Sequence, residues 1–320
     1  MSDLAEPLPG VTPARTQHPA TGYVLYLVAA TLFALNGTIS KSILLTGFDP
    51  TRLSQLRVTA AFLILLAVVA ITRRSALRIR RDEVWILLAY GILGVAMTQW
   101  LYFVAIQLLP VGVALLIEFT SPIMVALWFH FGLKHHTPRI VWLGLAIAML
   151  GLALVGQVWQ GFTLNGLGVA AAFGAAAALA LYFLLGDAMV RRPQPRDPVS
   201  LTMWGFGAAA LFWAIVEPWW SFPWADLNGS GYPLGEAGEP VAIPVLAAYM
   251  VLLGTVVPFW LIVVSLQHIR AAQAAVIGMA EPLIASFIAW LALGETLTLI
   301  QLIGSVTVLI GVYLAERYRT

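Results

Sequence analysis

Ten apolar stretches, each close to the length needed to cross a membrane, run through this chain with mostly short polar segments between them. A transmembrane helix needs about 20 mostly apolar residues to cross a hydrocarbon core of about 30 Å. The stretches lie at about residues 23–45, 53–71, 84–107, 111–133, 140–157, 165–189, 200–220, 244–267, 271–293 and 299–316. The first is longer than the apolar part of a secretory signal, so we expect it to remain as a helix. The pattern predicts an all-α integral membrane protein with ten transmembrane helices.

The composition excludes a water-soluble fold. Charged side chains make up 10% of the 320 residues and apolar ones 61%, whereas a soluble globular chain carries roughly a quarter charged residues. The net charge of +2 does not indicate nucleic acid, because the basic residues stand in short clusters between the apolar stretches. We therefore expect the lipid bilayer and a small-molecule substrate as partners, and no nucleic acid.

The basic residues predict the orientation, since cytoplasmic loops of membrane proteins carry an excess of Lys and Arg. If the amino terminus is cytoplasmic, 14 of the 17 basic residues fall in cytoplasmic segments, and Arg52 alone falls in an outer loop. The wide outer loop at residues 221–243 carries Asp226, Glu236 and Glu239 and no basic residue. We expect a multi-pass protein of the plasma membrane with both termini cytoplasmic.

An internal repeat divides the chain into two halves. At an offset of 160 residues, the aligned pairs are Gly94 and Gly254, Trp100 and Trp260, Gln107 and Gln267, Pro122 and Pro282, Gly144 and Gly304, and Gly151 and Gly311. The repeat predicts five-helix repeats at residues 22–157 and 165–316. Residues 1–21 before them are polar and rich in proline, which predicts a disordered cytoplasmic tail. Because five is odd, the second repeat inserts upside down relative to the first. Inverted repeats are typical of secondary transporters, which bind substrate at the repeat interface.

Several stretches resemble a known family. They run from Val113 to Pro122 and from Glu281 to Glu295, with Gly304, Gly311, Asn36-Gly37, Lys41 and Arg57 besides. On these residues the chain resembles the EamA-type permeases of the drug/metabolite transporter superfamily over about residues 22–316. It departs from them at Gly132-Leu-Lys-His-His136, where the family often has Gly-Glu. The resemblance implies ten helices and export of amino acids or related metabolites, and Ile-Glu-Phe-Thr-Ser-Pro is similar to the same stretch of threonine/homoserine exporters.

Two carboxylates, Glu118 and Glu281, lie deep in apolar stretches and are candidates to bind substrate or a proton. A charge at the bilayer centre costs about 2.5–3.5 kcal/mol on insertion scales, so each needs a partner, a proton or a cavity. Pro122 lacks the N–H that would bond the carbonyl of Glu118, and Thr120 and Ser121 stand beside it as further oxygen donors. Protonated or hydrogen-bonded packing is the structural alternative for both glutamates.

Two cations and several amides complete the candidate site. Arg57 is a candidate partner for Glu118, for Asp49 or for a substrate carboxylate, because its guanidinium binds carboxylates with two hydrogen bonds. Lys41 lies about one turn from the outer end of its helix, where its stem can also reach the membrane surface. Asn36 and Gln99 add polar groups, although polar residues also join helices to each other in membranes.

Aromatic and small residues favour packing roles. Trp100 and Trp260 are repeat-related and helix-internal, so they either stack on a solute or fill the repeat interface, and packing is the favoured role. A face of small residues on the fifth and tenth helices permits close helix contact, within the chain or across a homodimer. Its members are Gly144, Ala148, Gly151, Gly304 and Gly311.

The motifs argue against an enzyme. The chain has no Gly-x4-Gly-Lys-Ser/Thr phosphate loop, no Gly-x-Ser-x-Gly and no His-Glu-x-x-His. It has no cysteine, so thiolate catalysis and Cys-based metal sites are excluded. His130, His135 and His136 are irregularly spaced and are interpreted as surface residues. We expect no catalytic residue, no metal and no cofactor.

Three hypotheses for function remain at this point. The leading one is a secondary transporter that exports small metabolites, with amino acids favoured, by alternating access. The first alternative is an efflux pump for lipophilic cations, in which the two glutamates bind the drug. The second is a membrane scaffold or lipid-handling protein that transports nothing.

The orientation can be tested by cysteine labelling, because the chain contains no cysteine of its own. Ser75→Cys should react with a membrane-impermeant maleimide only from the cytoplasmic side, because it lies among clustered arginines. Gly229→Cys should react only from outside. Labelling of Ser75→Cys in intact cells would contradict the assigned orientation.

Overall fold

The computed structural model describes residues 18–134, 136–157, 165–233, 238–284, 287 and 298–317. The α-helices are α1 Pro19–Leu44, α2 Pro50–Thr72, α3 Val84–Ala89, α4 Met97–Leu108, α5 Val111–Glu118, α6 Ser121–Leu127, α7 Arg139–Val155, α8 Gly166–Val190, α9 Pro198–Val216, α10 Ile243–Val251, α11 Val257–Ser265, α12 Ala271–Gly278 and α13 Leu299–Arg317. π-Helical turns occupy Tyr90–Ala96, Trp128–Gly132 and Leu252–Val256. Short 3₁₀ turns occupy Arg74–Leu77, Arg81–Glu83, Trp219–Ser221 and Trp224–Asn228. The strands β1 Ser230–Gly231 and β2 Val241–Ala242 pair antiparallel.

The described helices make this a mostly helical membrane protein. Seven are long and apolar enough to cross a bilayer: Pro19–Leu44, Pro50–Thr72, Arg81–Leu108, Gly112–Gly132, Gly166–Val190, Pro198–Val216 and Ile243–Ser265. Three shorter apolar helices, Arg139–Val155, Ala271–Ile284 and Leu299–Ala315, fall on the fifth, ninth and tenth predicted stretches. At 1.5 Å per residue, a 17-residue helix such as α7 is about 26 Å long. The number ten therefore stays a prediction.

Proline and aspartate set several helix starts. α1 begins at Pro19, four residues before the first predicted stretch, and α2 begins at Pro50, three residues before the second. Proline suits the first position of a helix, because its fixed φ is already helical and its missing N–H would be unpaired there anyway. The Asp49 carboxylate caps α2 by accepting hydrogen bonds from the backbone N–H of Thr51 and Arg52, at 2.8 and 3.1 Å. Asp197 likewise caps α9, which begins at Pro198.

Helices α7 and α13 cross with their backbones in direct contact. A Cβ placed on Gly151 would lie 2.5 Å from the backbone nitrogen of Val308 and 2.8 Å from the carbonyl oxygen of Gly304. At the other end of the crossing, a Cβ on Gly144 would lie 2.8 Å from the carbonyl oxygen of Gly311. The two helices therefore run antiparallel, and the predicted face of small residues packs within the chain.

The crossing predicts a large effect of one added side chain. Gly151→Val should lower the free energy of unfolding by about 1–3 kcal/mol, the usual cost of overpacking, because the backbone of α13 has no flexible atom to move aside. The measurement is the melting temperature of the purified protein in detergent. Gly166→Val is the matched control, since a Cβ there has no atom within 4 Å. Equal melting temperatures for the two variants would contradict the close crossing.

Candidate substrate-binding site

A buried cavity of about 90 Å³ lies among helices from both halves of the chain. Its lining comprises Tyr26, Phe33, Asn36 and Gly37 of α1, Arg57 of α2, Thr98, Gln99 and Tyr102 of α4, Leu115 and Glu118 of α5 with Phe119, Leu179 and Tyr182 of α8, Phe259 and Ile262 of α11, and Glu281. Five of the ten candidate residues, namely Asn36, Arg57, Gln99, Glu118 and Glu281, therefore meet in one place.

Both glutamates lie at breaks in helices. α5 ends at Glu118 and α6 begins at Ser121, and α12 ends at Gly278 with helix resuming at Glu281. Each helix ends four residues before a proline, at the residue whose carbonyl the proline cannot bond. In a membrane, non-helical backbone is tolerated where it is buried in protein or lines a cavity. Both breaks adjoin the cavity that the two glutamates line.

The two glutamates are not equivalent under the repeat. Glu118 is the last residue before the first break, and its repeat partner is Gly278. Glu281 is the first residue after the second break, and its repeat partner is Ser121. A Cβ on Gly278 would lie 2.8 Å from the hydroxyl of Tyr26. The phenol of Tyr26 therefore occupies the space that a side chain at this position would need.

Arg57 binds the opposite half of the chain. Its Nε donates a hydrogen bond to Oγ1 of Thr255 at 2.5 Å, and its Nη2 donates one to the carbonyl oxygen of Gly254 at 2.7 Å. The guanidinium also lies 5.3 Å from the ring centre of Phe103. Asp49, one of the candidate partners of Arg57, caps α2 instead, and no ion pair joins it to Arg57 among the described residues. Among the described residues, Arg57 also forms no ion pair with Glu118.

A π-helical turn makes these acceptors available. Gly254 and Thr255 lie within Leu252–Val256, where each backbone hydrogen bond spans one residue more than in an α-helix. The hydroxyl of Thr255 donates to the carbonyl of Met250, five residues earlier, at 2.7 Å. The repeat-related Gly94 also lies in a π-helical turn, and its carbonyl accepts a 2.5 Å hydrogen bond from Thr98.

Two amide side chains of the cavity have unused hydrogen-bonding atoms. Oδ1 of Asn36 has no partner among the described residues, and neither do Oε1 and Nε2 of Gln99. Asn36 packs against Gly254, where a Cβ would lie 2.9 Å from Cβ of Asn36. Buried polar atoms are nearly always hydrogen-bonded to protein or water, so these amides are suited to bind water or a polar solute.

The other five candidates lie away from the cavity lining. The hydroxyl of Thr120 donates to the carbonyl of Ile117 at 2.7 Å, and Ser121 is buried beside the first break. Lys41 is half-buried in the last turn of α1. Trp100 donates to Thr51 at 3.2 Å, which fits its packing role. Trp260 is 37% exposed on the outside of the bundle.

Tyrosines and phenylalanines complete the lining and were not among the candidates. Tyr26, Tyr102 and Tyr182 bring phenol rings to the cavity, and Phe33 and Phe259 bring apolar ones. Phe259 packs edge-on against Phe33 and Tyr182, with ring centres 5.2 and 5.4 Å apart. A tyrosine within an apolar stretch was the available signal, because its hydroxyl needs a partner when buried.

The arrangement is suited to bind a polar solute with charges of both signs. One guanidinium and two carboxylates share a small enclosure, and two carboxylates in a low-dielectric site repel each other unless a cation or proton lies near them. Aromatic rings and aliphatic side chains form most of the remaining wall. Among the residues that the structure describes, no three His, Asp or Glu side chains group as metal ligands.

Known proteins resemble the chain over most of its length. The model of the EamA-like transporter family matches it over residues 20–157 and again over residues 166–317. The threonine/homoserine exporter RhtA of Escherichia coli strain K12 is 28% identical over 88% of this chain and 86% of its own. The uncharacterized transporter YdfC of Bacillus subtilis strain 168 is 26% identical over 84% of this chain and 82% of its own. One crystal structure covers 93% of this chain and 97% of its own with a TM-score of 0.70 and 17% identity, which concerns the fold alone.

Proposed function

The chain belongs to the EamA-like transporter family, and from that premise we propose that it is a secondary transporter that exports amino acids or related small metabolites by alternating access. The observation that carries this proposal is that Arg57, Glu118 and Glu281 line the same cavity. Membership of a transporter family agrees with the expectation that the chain is not an enzyme, and it leaves the scaffold alternative without support.

The cavity offers a partner for each charged end of an amino acid. A substrate ammonium would lie against Glu118 or Glu281, and a substrate carboxylate would lie against Arg57. Nη1 of Arg57 has no hydrogen-bond partner among the described residues and is available to an incoming oxygen. The unpaired amides of Asn36 and Gln99 supply further donors and acceptors, and Phe33 and Phe259 would contact an apolar side chain.

Cavity size favours this proposal over efflux of lipophilic cations. Pockets for drug-sized ligands usually enclose about 300–1,000 Å³, whereas this cavity encloses about 90 Å³. The aromatic wall with two carboxylates is the one feature that favours a lipophilic cation, and the cation would need a larger enclosure. The name of the 28% identical RhtA supports amino acids in particular.

Alternating access requires two halves that move relative to each other, and we propose ten helices in two inverted five-helix repeats. Three pairs of features at the same offset support this: the breaks before Pro122 and Pro282, the π-helical turns at Gly94 and Gly254, and the antiparallel contact of α7 with α13. The excess of basic residues in alternate loops supports cytoplasmic termini, and plasma-membrane location is proposed with them. A homodimer stays a prediction.

Transport by everted vesicles from cells that express the chain is the direct test. Because the vesicles are inside-out, export from cells becomes uptake into the vesicles, measured with a panel of labelled amino acids, with and without a proton gradient. Amino-acid uptake that exceeds the uptake by vesicles from cells with the empty vector supports the proposal. Uptake of dyes and antiseptics alone would favour the cation pump, and uptake of neither class would contradict both. Dependence on the gradient would separate proton-coupled from uncoupled export.

Glu118→Gln should insert and fold normally but transport poorly. The substitution keeps side-chain volume and hydrogen bonding, while it removes the charge that binds an ammonium or carries a proton. Any pH dependence of wild-type transport should be largely lost in the variant. The measurement is initial uptake rate in vesicles from mildly acidic to mildly alkaline pH, together with the melting temperature of purified protein.

Glu239→Gln is the matched control, because it removes an exposed carboxylate from the outer loop and should transport like wild type. Wild-type transport by Glu118→Gln at every pH would show that Glu118 is neither an essential ligand nor a proton carrier. A Glu118→Gln protein with a much lower melting temperature would show that the charge is structural.

Arg57→Lys should lose most transport. A lysine ammonium is a point charge, and it cannot hold Thr255, Gly254 and a substrate carboxylate with the planar fork that arginine provides. Arg52→Lys is the matched control, because Arg52 lies in the same helix but pairs with Glu217 at 2.8 Å, outside the cavity lining. Full uptake by Arg57→Lys would leave Arg57 as a charge that holds the helices together.

A further inference from the structure

A second cavity lies at the end of the bundle where arginines concentrate. It is open to the surface and has a volume of about 260 Å³ between the segment that joins α2 to α3 and the segment that joins α8 to α9. Ser75, Arg78 and Arg80 line it from the first segment, and Arg196 lines it from the second. The central cavity and its proposed substrate have no part in this site.

Ion pairs hold the walls of this cavity in place. Arg196 donates to the carbonyl oxygens of Ala76 and Arg78, at 3.2 and 2.6 Å, and pairs with Glu83. The Glu83 side chain is 1% exposed and also accepts from the backbone N–H of Arg80 at 2.9 Å. The guanidinium of Arg80 also pairs with Glu83, at 3.3 Å, so Glu83 joins the two segments.

The cavity keeps a positive charge after these pairs are counted. Its lining contains three guanidinium groups and two carboxylates, Glu83 and Asp197. Asp197 also pairs with Arg73, which lies outside the lining, at 2.6 Å. The exposed side chain of Arg78 has no ion pair or hydrogen bond among the described residues. Nε of Arg196 has no hydrogen-bond partner in that part of the chain either, although the side chain is only 7% exposed.

The positive charge suits an anionic ligand, and exposed apolar side chains next to the lining residues in the sequence indicate that the ligand also has an apolar part. Ile79, between two of the lining arginines, is 39% exposed, and Trp85, in the first turn of α3, is 80% exposed. Tryptophan is typical of the boundary between hydrocarbon and headgroups, and basic pockets between membrane helices bind anionic headgroups. We propose that this cavity binds the phosphate of an anionic phospholipid, with Arg78 as the principal contact and Arg80 and Arg196 beside it.

The experiment measures lipid binding by the purified full-length protein in detergent. Phosphatidylglycerol should raise the melting temperature and remain bound in native mass spectra, whereas phosphatidylcholine and inorganic phosphate should do neither. Arg78→Gln should weaken phosphatidylglycerol binding by roughly tenfold or more, the effect of losing one hydrogen bond to a charged group. The variant should fold, because this side chain forms no hydrogen bond or ion pair among the described residues.

Arg81→Gln is the matched control, since it removes another exposed charge, three residues away, that does not line the cavity. Its lipid binding should stay close to that of wild type. Equal loss in the two variants would overturn the proposal in favour of general surface charge. Equal effects of phosphatidylglycerol and phosphatidylcholine would overturn the requirement for an anionic lipid. A full effect of inorganic phosphate would show that the bound phosphate need not belong to a lipid, and would also overturn the proposal. These readouts do not depend on transport, so they can fail independently of the export proposal.

Discussion

Hydrocarbon offers no hydrogen bonds, and this constraint explains where the chain is regular and where it is not. Within a bilayer each unpaired backbone N–H or C=O costs several kcal/mol, so the described membrane segments are helical. The exceptions concentrate around one cavity, at the breaks after Glu118 and Gly278 and at the π-helical turn of Gly254. Each exception has polar side chains close by, and this arrangement concentrates the chemistry in the middle of the bundle.

Arg57 shows how one contact serves both structure and recognition. Its hydrogen bonds to Gly254 and Thr255 join α2 to the opposite half of the chain, and they orient the guanidinium in the cavity wall. A buried charge of this kind is costly unless it is fully bonded. The π-helical turn supplies the acceptors, so the irregular backbone and the buried cation stabilise each other.

The helices were largely predictable, because about 20 apolar residues between polar segments have few other solutions in a membrane. Pro122 also indicated that the carbonyl of Glu118 would lack its helical partner, and α5 ends at that residue. The π-helical turns were not predictable, since they depend on a one-residue shift of hydrogen bonds that leaves the apolar pattern unchanged. Five of the cavity residues could be selected as candidates from the sequence, because charged and amide side chains are rare in apolar stretches. The partner of Arg57 could not be found, because Gly254 is 197 residues away and acts through its backbone.

The crossing of α7 and α13 has a consequence for how this sequence can change over generations. In most protein contacts, a larger residue on one side can be accommodated by a smaller one opposite. Gly144 faces Gly311, and Gly151 faces Gly304. At these points the opposite residue has no side chain that a smaller residue could replace. A side chain at any of the four positions would meet backbone atoms of the other helix within 3 Å. No second substitution can remove backbone atoms, so the helices would have to separate instead. These four glycine positions therefore tolerate little sequence change, whereas the lipid-facing sides of the same two helices can exchange one apolar residue for another.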